Sequence, residues 1–261
     1  MDLPLYQIDA FTTQPFGGNP AAVCPLERWI DDDLMQRIAA ENNLSETAFF
    51  VDDGADPISL RWFTPAAEID LCGHATLAAG HLVLETLGSR SRSVAFSTAS
   101  GILEVTRESD RLMMELPSWP AEPVEPPAAL AAGIRDLPET TLRAKKNYLL
   151  VYETEDEVRA VSPDMEPLRS LHPHGVIVTA PGRDHDFVSR YFAPSWGVPE
   201  DPATGSAHCT LTPYWSERLG KTGLSAYQAS ARGARIECEH RGDRVGLGGS
   251  CATYLVGTIR V

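Results

Sequence analysis

The sequence predicts an α+β protein made of two similar lobes, with strands predominating and helices few. Three observations carry that class. Short segments of β-branched and aromatic residues alternate with polar ones and are bounded by Gly, Pro, Asp and Ser, the pattern of half-buried strands. One stretch near the middle of the first half, HATLAAGHLVLETLG, is apolar on nearly every side and closes at Gly88, as a helix buried inside a fold does. The two halves also repeat one another in order across a proline-dense connector.

Strand character falls at residues 5–11, 47–51, 58–63, 93–97, 102–107 and 111–116. A first helix opens at the acidic run Asp31, Asp32, Asp33, which suits the positive end of the helix dipole, and reaches about Asn42. The apolar helix begins near His74. Residues 117–127, PSWPAEPVEPP, suit neither a helix nor a central strand and mark a boundary. Lobes of 1–117 and 118–251 follow, with a last strand over 252–261 joining the first lobe. Beyond the connector come a strand at 148–152, a turn and short helix at 162–170, a strand at 176–180, a helix from Ser206 to Leu219 and a final strand pair.

The repeat is collinear. RWFTP, starting at Arg61, matches RYFAP, starting at Arg190; Gly73, Ala75 and Gly88 match Gly205, Ala207 and Gly220; the pair Asp110 and Arg111 matches Asp243 and Arg244. The separation drifts by only a few residues, so a duplicated lobe with a pseudo-twofold relation is expected. In this register His74 falls opposite Ser206, each directly after a glycine that opens a helix. Two such helix starts, aimed at one cleft, would hold a shared anion with their unpaired N–H groups. Glu46 falls opposite Gly175, so this carboxylate belongs to one lobe only.

Composition narrows the partners. Twenty-two basic against 36 acidic side chains give a net charge of −14, the wrong sign for nucleic acid or an anionic membrane surface. A small anion would need local donors, which the helix starts provide. Five cysteines, odd in number and without CxxC or zinc spacing, suit a reduced, cytoplasmic setting. The N-terminal segment has no signal-peptide order, and no apolar run reaches membrane-spanning length.

Several residues are candidates for chemistry. Glu46, in NLSETAFFV, is either a solvated strand-edge acid or a general base whose charged form is desolvated by an apolar wall, raising it from about 4.3. Asp201, in EDPATGSAH, is a second acid or a helix-preceding cap. His74 would donate or relay a proton, its helix start disfavouring the imidazolium. The histidines find no third ligand at supporting spacing, so no metal is expected. Ser206 and His208 lack the GxSxG elbow of a serine hydrolase. Cys72, before Gly73, is a thiol at a helix start, but the matching position near Thr204 has none, leaving a two-thiol racemase half equipped.

SETAFF, LCGHATLAAG and EDPATGSAH, with FGGNPAAV near the start, together resemble the PhzF-like family of phenazine biosynthesis, whose fold is that of diaminopimelate epimerase. The resemblance runs over essentially the whole chain. It implies two lobes, each a mixed sheet curled around a central helix, an active site in the cleft between them, and commonly a homodimer. It further implies that Glu46 is the acid/base, working without cofactor or metal, that His74, Asp201 and Ser206 surround the substrate, and that Gly73 and Gly205 open the helices that receive its carboxylate. The expected activity is isomerisation of a small carboxylate-bearing metabolite. Its rivals are an epimerase or dehydratase using Cys72 as a base, and a metabolite-binding module without turnover.

Overall fold

Local signals set many element boundaries in the computed structural model, which describes residues 1–88, 92–109 and 111–261. The chain divides into two units. The first comprises Met1–Glu115 with Gly248–Val261, the second Leu116–Leu247. Up to the connector the order is β1 (Asp2–Ala10), β2 (Asn19–Leu26), α1 (Asp32–Asn42), β3 (Glu46–Val51), β4 (Ile58–Phe63), β5 (Glu68–Ile69), α2 (Gly73–His81), β6 (Ser93–Thr98), β7 (Gly101–Glu108) and β8 (Arg111–Pro117). Then follow β9 (Glu122–Pro123), α3 (Ala128–Gly133), β10 (Thr140–Ala144), β11 (Asn147–Val151), α4 (Glu155–Ala160), α5 (Met165–Leu168), β12 (Gly175–Pro181), β13 (Phe187–Phe192), α6 (Gly205–Leu219), β14 (Gly223–Gln228), β15 (Ala234–Arg241), β16 (Arg244–Gly249) and β17 (Cys251–Arg260). No helix among the described residues is long and apolar enough to cross a membrane.

The acidic run caps α1 as its chemistry requires, the Asp31 carboxylate accepting from the Asp33 amide. The helix expected through residue 88 is α-helical only to His81 and continues as a π-helical turn, Leu82–Thr86. Four strands, not two, follow α6. The sequence reading missed β2, because Pro20 and Pro25 argue against a central strand, yet β2 pairs with both β1 and β3. It also missed α4, although the capping box of Thr154 and Glu157 is a legible start signal. The connector is tied down within its unit: the Trp119 amide donates to the Cys209 carbonyl, and Val124 to Thr141.

The units repeat one pairing order. In the first, β2 and β3 are parallel, β3 and β4 antiparallel, β4 and β6 parallel, β6 and β7 antiparallel. In the second, β11, β12, β13, β14 and β15 follow the same sequence of senses. The register agrees too, since Thr47 faces Phe63 as Val176 faces Phe192. RWF and RYF do the same work: Arg61 makes a two-pronged bond to Glu68 at 2.7 and 2.8 Å, and Arg190 one to Glu200 at 2.7 and 3.0 Å. Each guanidinium also lies over the ring two residues on, Phe63 or Phe192. Of the matched pair Asp110 and Asp243, Asp110 lies outside the described residues.

The helix α2 is buried along its length, and α6 over most of its own. Every residue from Gly73 to Gly80 of α2 is buried, packed within its unit against β1, β2, β3, β7 and β17. In the second unit α6 sinks Trp215 against Phe187, their rings stacked 5.7 Å apart, and the Trp215 indole donates to the Thr179 hydroxyl at 3.0 Å. His208 of α6 is wholly buried, its Nδ1 2.9 Å from the Thr204 carbonyl, and burial pushes it down to about 4. At Gly175, opposite Glu46 in the repeat, a Cβ would stand 2.2 Å from the Tyr191 hydroxyl, so the room a side chain needs is already filled.

Two outcomes follow from this packing. Gly175→Ala, whose methyl collides with the Tyr191 ring, lowers unfolding stability by about 1–3 kcal/mol in urea titration. His208 has a folded pKa below its unfolded value, so its stabilising share is present above about pH 6.5 and is lost as pH falls toward 4. Denaturant titrations at pH 7 and 4.5 should show an acid loss larger by about 2–3 kcal/mol in the wild type than in His208→Gln.

Candidate active site

In the first unit three chain segments bring polar groups together. The loop before β2 is held by the Asp9 carboxylate, which accepts from the Phe16 amide at 2.9 Å. Gly18, at φ +58°, passes so close to the Ala10 carbonyl that a Cβ would lie 2.0 Å from its oxygen. This turn fixes Asn19 at the start of β2. The second segment is the end of α1, where Asn43 adopts the left-handed conformation and its amide bonds back to Ala39. The Asn42 side chain then donates to the Thr47 hydroxyl at 3.1 Å, placing Ser45 and Glu46 at the entry to β3. The third is the start of α2, with Cys72 as cap and Gly73 and His74 as the first two helical residues.

Glu46 Oε2 lies 3.0 Å from His74 Nε2, with the side chains 14% and 5% exposed, and among the described residues neither atom has a hydrogen-bond partner besides this ion-pair contact. The other ring nitrogen, Nδ1, is 3.2 Å from Asn19 Nδ2 and 3.5 Å from Cys72 Sγ. The Ser45 hydroxyl donates to Asn19 Oδ1 at 2.9 Å. Burial alone would lower His74, but its contacts with Cys72 and Glu46 outweigh it and hold the ring well above its usual value. The Cys72 thiol is itself pushed up to about 11, by burial first and then by Glu46, so near neutrality it is uncharged. The expectation that the helix start would disfavour imidazolium is therefore corrected. A dipole interaction of at most about 2 kcal/mol yields to a carboxylate in direct contact.

Asp201, Gly205 and Ser206 belong to the second unit. The Asp201 carboxylate accepts from the Thr204 hydroxyl, and its amide donates to the Tyr191 carbonyl at 3.0 Å. Gln228, wholly buried at the end of β14, accepts from the Thr204 amide at 2.8 Å and donates to the Asp201 carbonyl at 2.7 Å and the Thr204 hydroxyl at 3.1 Å. A directed chain results, from Gln228 amide to Thr204 hydroxyl to Asp201 carboxylate. Burial and the neighbouring Asp201 push the Tyr191 phenol up. Thr204 caps α6, Gly205 opens it, and Ser206 is half-buried in its first turn.

The predicted residues thus fall in two sets: Glu46, Gly73 and His74 in the first unit, Asp201, Gly205 and Ser206 in the second. Sequence reasoning gave no role to Asn19, Ser45 or Gln228. Asn19 lies in the FGGNP turn, whose paired glycines were a usable signal; Gln228 sits in an unremarkable strand. Nor did spacing show that Glu46, Cys72 and His74 each bring a donor atom within 4.8 Å of the others, a set able to ligate a metal ion. A cation there would have to strip the Cys72 proton and take His74 from its present partners.

Residues 8–257 match the family model described as phenazine biosynthesis-like protein. A Pseudomonas aeruginosa protein named an uncharacterized isomerase is 49% identical over 261 residues, covering all of both chains. The crystal structure of a PhzF-family protein from Enterococcus faecalis, 42% identical and matched over the full length of both chains, superposes with a TM-score of 0.94. A hydroxyproline epimerase from Agrobacterium vitis, 12% identical, shares the fold alone, with a TM-score of 0.61 over 99% of this chain and 92% of that one. With its two like units, each setting a mixed sheet about a buried helix, and with matches of this extent, the chain belongs to the PhzC-PhzF, phenazine biosynthesis-like family.

Proposed function

We propose that this protein is an isomerase that moves a proton at carbon in a small carboxylate-bearing metabolite, with Glu46 as the acid/base. The observation that carries the reading is the 3.0 Å contact of Glu46 Oε2 with His74 Nε2 at the first turn of α2. A carboxylate fixed through one oxygen offers the other, Oε1, as proton carrier. His74 keeps Oε2 supplied with a donor whether Oε1 is bare or protonated. Among the first-turn N–H groups of α2, that of Ala75 meets the Cys72 sulfur, and the helix start around Gly73 and His74 suits a substrate carboxylate or the negative charge that develops beside it. The chemistry calls on these groups alone, and the names of close relatives as isomerases agree with it.

The rival base, Cys72, is disfavoured by its surroundings. A thiol pushed up to about 11 holds its proton near neutrality, and the adjacent Glu46 charge opposes a second anion.

Incubating candidate carboxylic acids in heavy water and following deuterium into carbon tests the reading. Glu46→Gln is expected to slow exchange by about 10²–10⁴-fold, and exchange at the wild-type rate sinks the assignment. Cys72→Ala should keep exchange within about tenfold of wild type, whereas a loss as deep as that of Glu46→Gln would hand the base role to the thiol.

A further inference from the structure

Three donor atoms of different kinds meet at the start of α2. Glu46 Oε2 is 3.0 Å from His74 Nε2, Cys72 Sγ is 3.5 Å from His74 Nδ1, and one donor atom from each of the three residues lies within 4.8 Å of the others. A tetrahedral ion with bonds of about 2.0–2.3 Å to oxygen, nitrogen and sulfur spaces its donors about 3.2–3.6 Å apart, so side-chain shifts of about 1 Å close the set on one ion. The carboxylate and the thiol lie at different ring nitrogens. An ion held by all three residues therefore takes one nitrogen and draws the farther donor toward it. Among the described residues this is the one group of three such side chains with donors so close.

The donor set and its burial select the ion. Cys72 and His74 are buried and Glu46 is the most exposed of the three. Binding replaces the thiol proton, which passes to water, with a metal–sulfur bond, and His74 ligates through a bare nitrogen, a second ring proton also leaving to water. Carboxylate and thiolate then carry two negative charges, which a divalent cation neutralises and a monovalent one does not. Magnesium and calcium require six or more oxygens, whereas one oxygen, one nitrogen and one sulfur with an open fourth position suit zinc. A thiol pushed up to about 11 gives its proton only to a thiolate-seeking metal.

We propose that Glu46, Cys72 and His74 form a zinc site whose occupation switches the isomerase off: the ion takes a carboxylate oxygen, the thiolate sulfur and one imidazole nitrogen, with water as fourth ligand. The carboxylate that would carry the substrate's proton is then held by the metal and neither accepts nor returns one. Inhibition rests on the isomerase reading of Glu46, and binding of the ion does not. The second unit repeats the helix start without the donors, with Thr204 as cap and Gly175 opposite Glu46, so one such ion per chain is expected.

The test uses the full-length, metal-free protein with its cysteines reduced. Cobalt(II), a coloured substitute for zinc, is expected to give a thiolate-to-metal charge-transfer band and the visible bands of a four-coordinate ion. One equivalent of zinc should bleach both, and excess magnesium should leave them unchanged. Cys72→Ser should abolish the charge-transfer band and weaken zinc by more than the about 100-fold that loss of an outer-shell partner costs. The site is overturned if cobalt gives no thiolate band, if the band survives in a folded Cys72→Ser protein, or if magnesium displaces zinc at equal concentration. Should that variant not fold, ¹¹³Cd bound to the ¹⁵N-labelled wild type decides: a one-bond cadmium–nitrogen coupling at the His74 ring supports the site, and its absence overturns it. Deuterium exchange into the candidate acids is read separately. Exchange lost with one equivalent of zinc and restored by a chelator supports the switch, and exchange that persists with zinc bound overturns it. A metal-free protein that exchanges nothing overturns the isomerase reading and the switch with it, while the metal site stands on the cobalt spectrum.

Discussion

The first unit has to bury a helix that has no face to offer water, and most of the geometry around Glu46 descends from that constraint. In α2 every residue from Gly73 to Gly80 is enclosed, so the helix must begin as well as run inside the unit. A helix that begins in the interior leaves orphan N–H groups there and carries its first side chains in with them. For α2 one of those side chains is an imidazole. A buried imidazole with one nitrogen unsatisfied is costly, and the strand entering beside it supplies the partner, Glu46. Buried ion pairs contribute little to stability against a well-packed apolar alternative, and losing one member costs about 3–5 kcal/mol. The pair is thus poorly explained as a staple, which agrees with the proton-handling role proposed for it.

The duplication shows which parts of the plan are architectural and which were free to diverge. Arg61 and Arg190 grip Glu68 and Glu200 in the same fork and cover the same aromatic position, so this corner serves the fold in both units. Glu46 and Gly175 share a register position but not a role, because Tyr191 fills the second site. Cys72 and Thr204 are both caps, one a raised thiol and one a hydroxyl within a bonded chain. Beneath both helix starts lies an amide with a hydroxyl: Asn19 with Ser45 in one unit, Gln228 with Thr204 in the other. The first pair reaches a carboxylate through an imidazole, the second reaches Asp201 directly.

What the sequence made legible was local or repeated. The acidic opening of α1, the all-round apolarity of α2 and the RWF and RYF pair could be read because each signal sits in a few adjacent residues or occurs twice. What stayed hidden depends on contacts between distant segments. β2 carries prolines that speak against a central strand and is held by pairing on both sides. Asn19 gains its importance from a ring far along the chain, and Gln228 from a loop that returns to it. The protonation preference of His74 was misjudged because the visible term was the helix dipole. The deciding term, a carboxylate 3.0 Å away, appears only once the chain is folded.

One carboxylate with no twin also constrains chemistry. A racemising pair needs a base on each face of the reacting carbon, one to remove the proton and one to deliver it. Here the thiol nearest Glu46 is held in its protonated form, and the cap matching Cys72 in the second unit is Thr204, whose hydroxyl is committed to Asp201. A lone Glu46, gripped at Oε2, can take a proton onto Oε1 and return it from the same side without changing its hydrogen-bond partner. On the proposed reading the proton therefore leaves and re-enters on one face, and net change requires that it return to a different carbon. Under that proposal, migration of a double bond fits one carboxylate working from one side better than inversion at a single centre does.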